Sequence, residues 1–136
     1  MKFKVLSIEH VAIAVEDLKG LSDLFGKILG ISNTSKEEIK DQEVLTDIYD
    51  TGVGKVELLK ATSANSPISN FLNTRGTGFH HIAFRVANLS IALSELSDSG
   101  IELIDKVPRV GAEGMLIGFI HPRSTNGILV ELCQKP

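Results

Sequence analysis

A chain of 136 residues with 43% hydrophobic side chains is long enough to bury a core of its own. Its 14 basic and 17 acidic residues give a net charge of −3 with no run of Lys or Arg, which excludes the basic stripe of a nucleic-acid-binding protein. A single cysteine, Cys133, excludes an intrachain disulfide, and no window approaches the ~20 apolar residues of a membrane span.

The start, Met1-Lys2-Phe3-Lys4, runs into strand-like sequence with no apolar signal-type segment, so a cytoplasmic protein without a membrane partner is expected. Residues 5–15, rich in Val, Ile and Ala, read as a buried strand. Gly20 to Gly30 carries Leu21, Leu24, Phe25, Ile28 and Leu29, the spacing of an amphipathic helix with a glycine stop. Residues 31–42 are polar and predict a surface loop or an extra strand around 31–38. Val44 to Asp50 and Lys55 to Ala61 predict two strands joined by the glycine turn Thr51-Gly52-Val53-Gly54. Ser66-Pro67 opens a short linker helix over 66–73, and Arg75-Gly76-Thr77-Gly78 ends it. The order then repeats. A strand over 79–86 leads to a helix over 90–99, a strand near 101–104, a loop through Pro108 and Gly111 to Gly114, and strands at 115–120 and 127–132.

The repetition extends to individual residues. Ile8-Glu9-His10-Val11-Ala12-Ile13-Ala14-Val15 returns as Phe79-His80-His81-Ile82-Ala83-Phe84-Arg85-Val86, and Val56-Glu57-Leu58-Leu59 returns as Val130-Glu131-Leu132-Cys133. The expected architecture is therefore α+β, with tandem β-α-β-β-β halves at about 5–61 and 79–134 in one domain over 1–136.

Side chains alternate along a strand, so His10, Ala12 and Ala14 share a face, as do His81 and Ala83. Glu57 and Glu131 are flanked by Val and Leu that point the other way. A lone strand histidine is more often a hydrogen-bonded core residue than a ligand, but a buried glutamate is costly unless paired or metal-bound. Two imidazoles and two carboxylates suit one divalent transition ion, such as Co, Ni, Mn or Zn. His80 falls on the opposite face, where packing is expected. Arg85, two residues beyond Ala83, could hold a substrate carboxylate bidentately or form a salt bridge at the end of the sheet. His121 and Arg123 could meet a carboxylate or a phosphate.

With these motifs, together with Ser66-Pro67-Ile68, Pro108-Arg109-Val110-Gly111-Ala112 and Phe119-Ile120-His121-Pro122, the chain resembles the vicinal oxygen chelate superfamily. Within it, the likeness from about residue 6 to 134 is to the methylmalonyl-CoA epimerase family. The resemblance implies a glyoxalase fold, one curved mixed sheet cupping a metal held by His10, Glu57, His81 and Glu131. It also implies a small acyl-CoA substrate and is compatible with a homodimer. Two departures stand out: some epimerases have glutamine where Glu57 stands, and some place a glutamate base at the position occupied by Thr46. The expected reaction is metal-dependent epimerisation by removal of the α-proton, with Glu131 as one base and Glu57 as its partner, ahead of Asp47 and Glu43. The alternatives are a glyoxalase I-type lyase acting on a glutathione hemithioacetal, and a non-catalytic small-molecule binder on the same fold.

Overall fold

The computed structural model describes residues 2–136. Strand β1 spans Val5–Ala14 and is followed by a helix, α1, whose first turn is Lys19–Ser22 and whose remainder is Asp23–Ile28. Strands β2 (Ser32–Ile39), β3 (Val44–Asp50) and β4 (Lys55–Ala61) follow, then helix α2 (Pro67–Arg75). The second series is β5 (Gly78–Val86), α3 (Leu89–Asp98), β6 (Arg109–Val110), β7 (Leu116–Ile120) and β8 (Val130–Gln134). The strands are ordered β2-β3-β4-β1-β5-β8-β7-β6 in a mixed sheet. β1 runs parallel to β4 and β5 parallel to β8, while the β2-β3-β4 and β6-β7-β8 pairings are antiparallel. The expected tandem β-α-β-β-β order is thus present. Among the described residues, no helix is long and apolar enough to cross a membrane.

The described chain forms two compact units, one of residues His10–His80 and one of the residues up to Glu9 with His81–Pro136. In the first, the face of β1 and β4 opposite the histidine packs on α1, through Val15, Leu18, Tyr49 and Leu58 with Leu21 and Phe25. The predicted apolar stripe of α1 is only partly buried, because Ile28 and Leu29 are exposed. The second half of α1 is wound wider than an α-helix, with Leu29 N–H donating to Leu24 O at 2.8 Å. That five-residue step rotates the last apolar positions off the stripe. The alanine face is not left open either. Ala12 and Ala14 are fully buried with Val44 and Leu59 beneath Ile68 of α2, whose N-terminus is capped by Ser66 Oγ accepting from Ile68 N–H at 3.2 Å. The linker helix therefore fills space that small side chains provide.

In the second unit, Val86, Leu89, Ala92, Leu93 and Leu132 join β5 and β8 to α3, and Ala83, Met115, Ile117, Phe119 and Cys133 form the layer on the other face. Cys133 is buried there, as a small core residue. Gly118 lets α3 approach β7, since a Cβ there would stand 3.0 Å from Leu93 Cδ1. Residues 101–104 do not form the expected strand. Leu103 makes one bridge to Ile120, and then the Asp105 carboxylate takes the Phe119 N–H at 2.8 Å, replacing the backbone acceptor that a ladder would continue with. The short partner of β7 is instead Arg109–Val110, inside the stretch expected to be loop. β8 starts at Val130 rather than 127, because Asn126 and Gly127 adopt positive φ.

Candidate functional site

Buried polar side chains interrupt these apolar strands. His10, Glu57, His81 and Glu131 are each less than a tenth exposed. In the first unit His10 Nδ1 lies 3.1 Å from Glu57 Oε2, and in the second His81 Nε2 lies 3.4 Å from Glu131 Oε1. The parallel pairing explains both. Glu57 sits across from Ala12 and Glu131 across from Ala83, so each glutamate faces the alanine two residues beyond its histidine. The one-methyl side chain leaves room for the carboxylate to reach back to the imidazole on the same face. The duplication seen in the sequence is therefore a duplication of register. It is not one of ring orientation, since the two histidines use different nitrogens.

Buried carboxylates need a compensating charge or several donors, and here each meets an imidazole. Both pairs belong to buried His/Glu groups that could hold a metal ion. Imidazole nitrogen with carboxylate oxygen is a donor set suited to a divalent transition metal, so the residues fit such an ion.

Around Glu131 and His81 stands a buttress that the sequence did not single out. Phe119 on β7 is directly across from Glu131, and its ring meets His81 edge-on with centroids 5.3 Å apart. The guanidinium of Arg109 lies over that ring, 5.5 Å from its centroid, anchored by its Nε to Asp105 at 2.9 Å. The pattern that could have flagged Phe119 is its place opposite a buried glutamate on the neighbouring strand.

The remaining sequence candidates separate clearly. Asp47 is buried but on the α1 side, where its carboxylate accepts from Asn33 Nδ2 at 2.7 Å, Ser22 Oγ at 3.0 Å and Tyr49 OH at 3.2 Å. Thr46, its neighbour on the opposite face, is equally buried. Glu43 occupies a left-handed turn before β3, with φ 53. His80 packs edge-on against Phe71 of α2 at 5.0 Å, and burial together with the nearby Arg75 charge lowers its pKa to about 4. Arg123 donates through Nε at 2.9 Å to Glu102, and its Nη2 lies 2.8 Å from the same carboxylate. His121 Nδ1 accepts the Arg123 N–H at 3.0 Å; the same nitrogen lies 3.2 Å from Glu102, but a ring nitrogen already accepting cannot also donate there. The carboxylate that these two residues meet is the chain's own. Arg85 makes no salt bridge among the described residues, and its Nε is buried without a partner.

Residues 9–119 match the Glyoxalase/Bleomycin resistance protein/Dioxygenase superfamily. An ethylmalonyl-CoA/methylmalonyl-CoA epimerase of Cereibacter sphaeroides is 33% identical over 93% of this chain and 96% of its own length. The chain belongs to the methylmalonyl-CoA epimerase family of that superfamily. The fold agrees: a Streptomyces coelicolor methylmalonyl-CoA epimerase, solved in complex with 2-nitronate-propionyl-CoA, superposes with a TM-score of 0.91 at 28% identity, covering 97% of this chain and 99% of that one. Membership makes the chain an isomerase by class. The Bacillus subtilis protein YqjC, which carries no assigned activity, is 42% identical over 93% of this chain and 91% of its own.

Proposed function

We propose that the protein epimerises methylmalonyl-CoA, with His10, Glu57, His81 and Glu131 together as the ligands of one divalent metal ion. The observation that carries this reading is the repeated register: a buried His-x-Ala strand beside a buried glutamate, present once in each half of an epimerase-family chain. When bound, the ion supplies Lewis-acid stabilisation of negative charge, a contribution of several kcal/mol to removing a proton beside a carbonyl.

The chain's own residues do the proton work. Glu131 takes the α-proton as the C–H bond breaks and the electron pair moves onto the thioester oxygen. Glu57, from the other half of the sequence and carrying a proton at the start, delivers it to the opposite face of the same carbon as the enolate electron pair returns to form the new C–H bond, so that Glu131 ends protonated and Glu57 ionised, ready for the reverse direction. The carboxylates are suited to both duties because they are buried, where proton affinity responds strongly to a neighbouring charge. Phe119, with Arg109 over its ring, packs edge-on against the His81 ring and restricts its orientation.

Solvent-to-substrate deuterium exchange at the α-carbon tests the reading. Metal-loaded protein is expected to exchange and epimerise methylmalonyl-CoA, and Glu131→Gln to lose exchange by about 10²–10⁴-fold while retaining metal. Turnover of the methylglyoxal–glutathione hemithioacetal without epimerisation would move the assignment to a lyase. Failure to retain added Co or Ni would favour a binding protein.

A further inference from the structure

Arg85 is the cation that the proposed reaction does not use. It stands near the end of β5, across from Cys133, on the face that also carries His81 and Ala83. A guanidinium is charged at any physiological pH and presents five N–H donors, and the Nε of Arg85 has no acceptor within the protein, so no partner of the chain's own holds it there.

Arg85 lines a cleft of about 190 Å³ together with Gln134, Lys135 and Leu6. Its side-chain chemistry is one-sided. Gln134 spends its Oε1 on the Leu89 N–H at 2.7 Å, which leaves its amide NH₂ as the group with donors still to offer. Lys135 adds an exposed ammonium, and no acidic side chain lines the space. Two cations and an amide donor around a partly apolar floor are the complement of a phosphate or carboxylate.

Distance decides which anion. Arg85 is four residues along the strand from His81, about 13 Å at 3.3 Å per residue. That spacing sets Arg85 apart along the strand from a group reacting beside His81 and Glu131. An acyl-CoA carries phosphates at the far end of a long arm, remote from the thioester. We propose that the Arg85–Gln134–Lys135 cleft is an anion subsite that takes a phosphate of the coenzyme tail. The assignment to the tail rests on the epimerase reading; the anion site itself does not.

Calorimetric titration of the full chain with coenzyme A, with pantetheine and with inorganic phosphate tests it. The wild type is expected to bind coenzyme A at least tenfold more tightly than pantetheine, which lacks the nucleotide phosphates. Arg85→Gln should erase that preference and leave pantetheine affinity unchanged. Arg85→Lys should retain part of it, and Lys135→Gln, on the exposed rim, should weaken coenzyme A about threefold. An undiminished preference in Arg85→Gln, or none in the wild type, would overturn the subsite. Should inorganic phosphate binding depend on Arg85 while coenzyme A binding does not, the tail assignment falls. All readouts are equilibria, so loss of deuterium exchange with the coenzyme A preference intact would count against the reaction and not against the subsite.

Discussion

Asp47 offers the sharpest separation of structure from chemistry. It is a buried carboxylate on the strand where some relatives of this family place a base, yet its oxygens face α1 and accept from three side chains, Asn33, Ser22 and Tyr49. In an Asp47→Asn variant the amide cannot satisfy all three as before. If its oxygen keeps Asn33, its NH₂ faces two hydroxyls, which must turn from donating to accepting; if it is flipped, two NH₂ groups oppose each other. Bonds to a charged acceptor contribute about 1.5–3 kcal/mol and neutral ones about 0.5–1.5, so three weakened bonds cost roughly 3 kcal/mol. Relief from burying a charge offsets part of this, leaving an expected loss of about 1–3 kcal/mol. Urea denaturation should report the loss as a lower midpoint at unchanged slope. The folded variant should still exchange the α-proton of methylmalonyl-CoA within a few-fold of wild type. A variant of undiminished stability that no longer exchanges would refute the reasoning and make Asp47 a base.

Other consequences follow from the same geometry. Removing the metal with a chelator should abolish exchange, and adding Co(II) should restore both activity and a visible spectrum that His10→Ala and His81→Ala each alter. Phe119→Ala should cost about 3–5 kcal/mol in stability and shift that Co(II) spectrum, because the ring that orients His81 is gone. His80 has a folded pKa of about 4 against 6.5, so between these values the unfolded chain binds a proton that the folded one does not. Stability should therefore be full above about pH 6.5 and fall towards pH 4, by up to about 3 kcal/mol at ~1.4 kcal/mol per unit. Denaturation of His80→Phe across that range should show a correspondingly flatter profile.

Repetition made the sequence legible. The strands 44–50 and 55–61 and the Ser66 cap rest on local signals, alternation, turn glycines and a proline opening a helix, and each has its counterpart in the fold; the repeated His-x-Ala marks His81, which lies beside the buried Glu131, whereas His80 packs on Phe71. What escaped was set by tertiary contact. Nothing local in 101–104 reveals that Asp105 will take the Phe119 N–H and end the pairing. Nothing in the apolar stripe of 20–30 announces the widened turn that exposes Ile28 and Leu29. Nor does pleat arithmetic see α2 settling on Ala12 and Ala14, since alternation says which way a side chain points but not what comes to meet it.

Epimerisation asks for two proton-transfer groups on opposite sides of one carbon, and a duplicated strand pair provides a way to obtain them. A single β-α-β-β-β unit yields one histidine and one glutamate in a fixed register; duplicating it yields a second of each without a new motif. The copies have nevertheless diverged around the carboxylates. Glu57 has Ile48 as its cross-strand neighbour, an aliphatic side chain, whereas Glu131 has Phe119, with a guanidinium stacked beyond it. In the proposed reaction two bases exchange a proton with one carbon in both directions and need comparable, not identical, affinities, and unequal neighbours offer a way to tune two copies of one glutamate separately. Glu57→Gln, the side chain some relatives carry at this position, then bears on Glu57 alone. If exchange survives while epimerisation slows, Glu131 still removes the proton and Glu57 was the group returning it; if both persist unchanged, Glu57 serves as a ligand and the second proton comes from elsewhere.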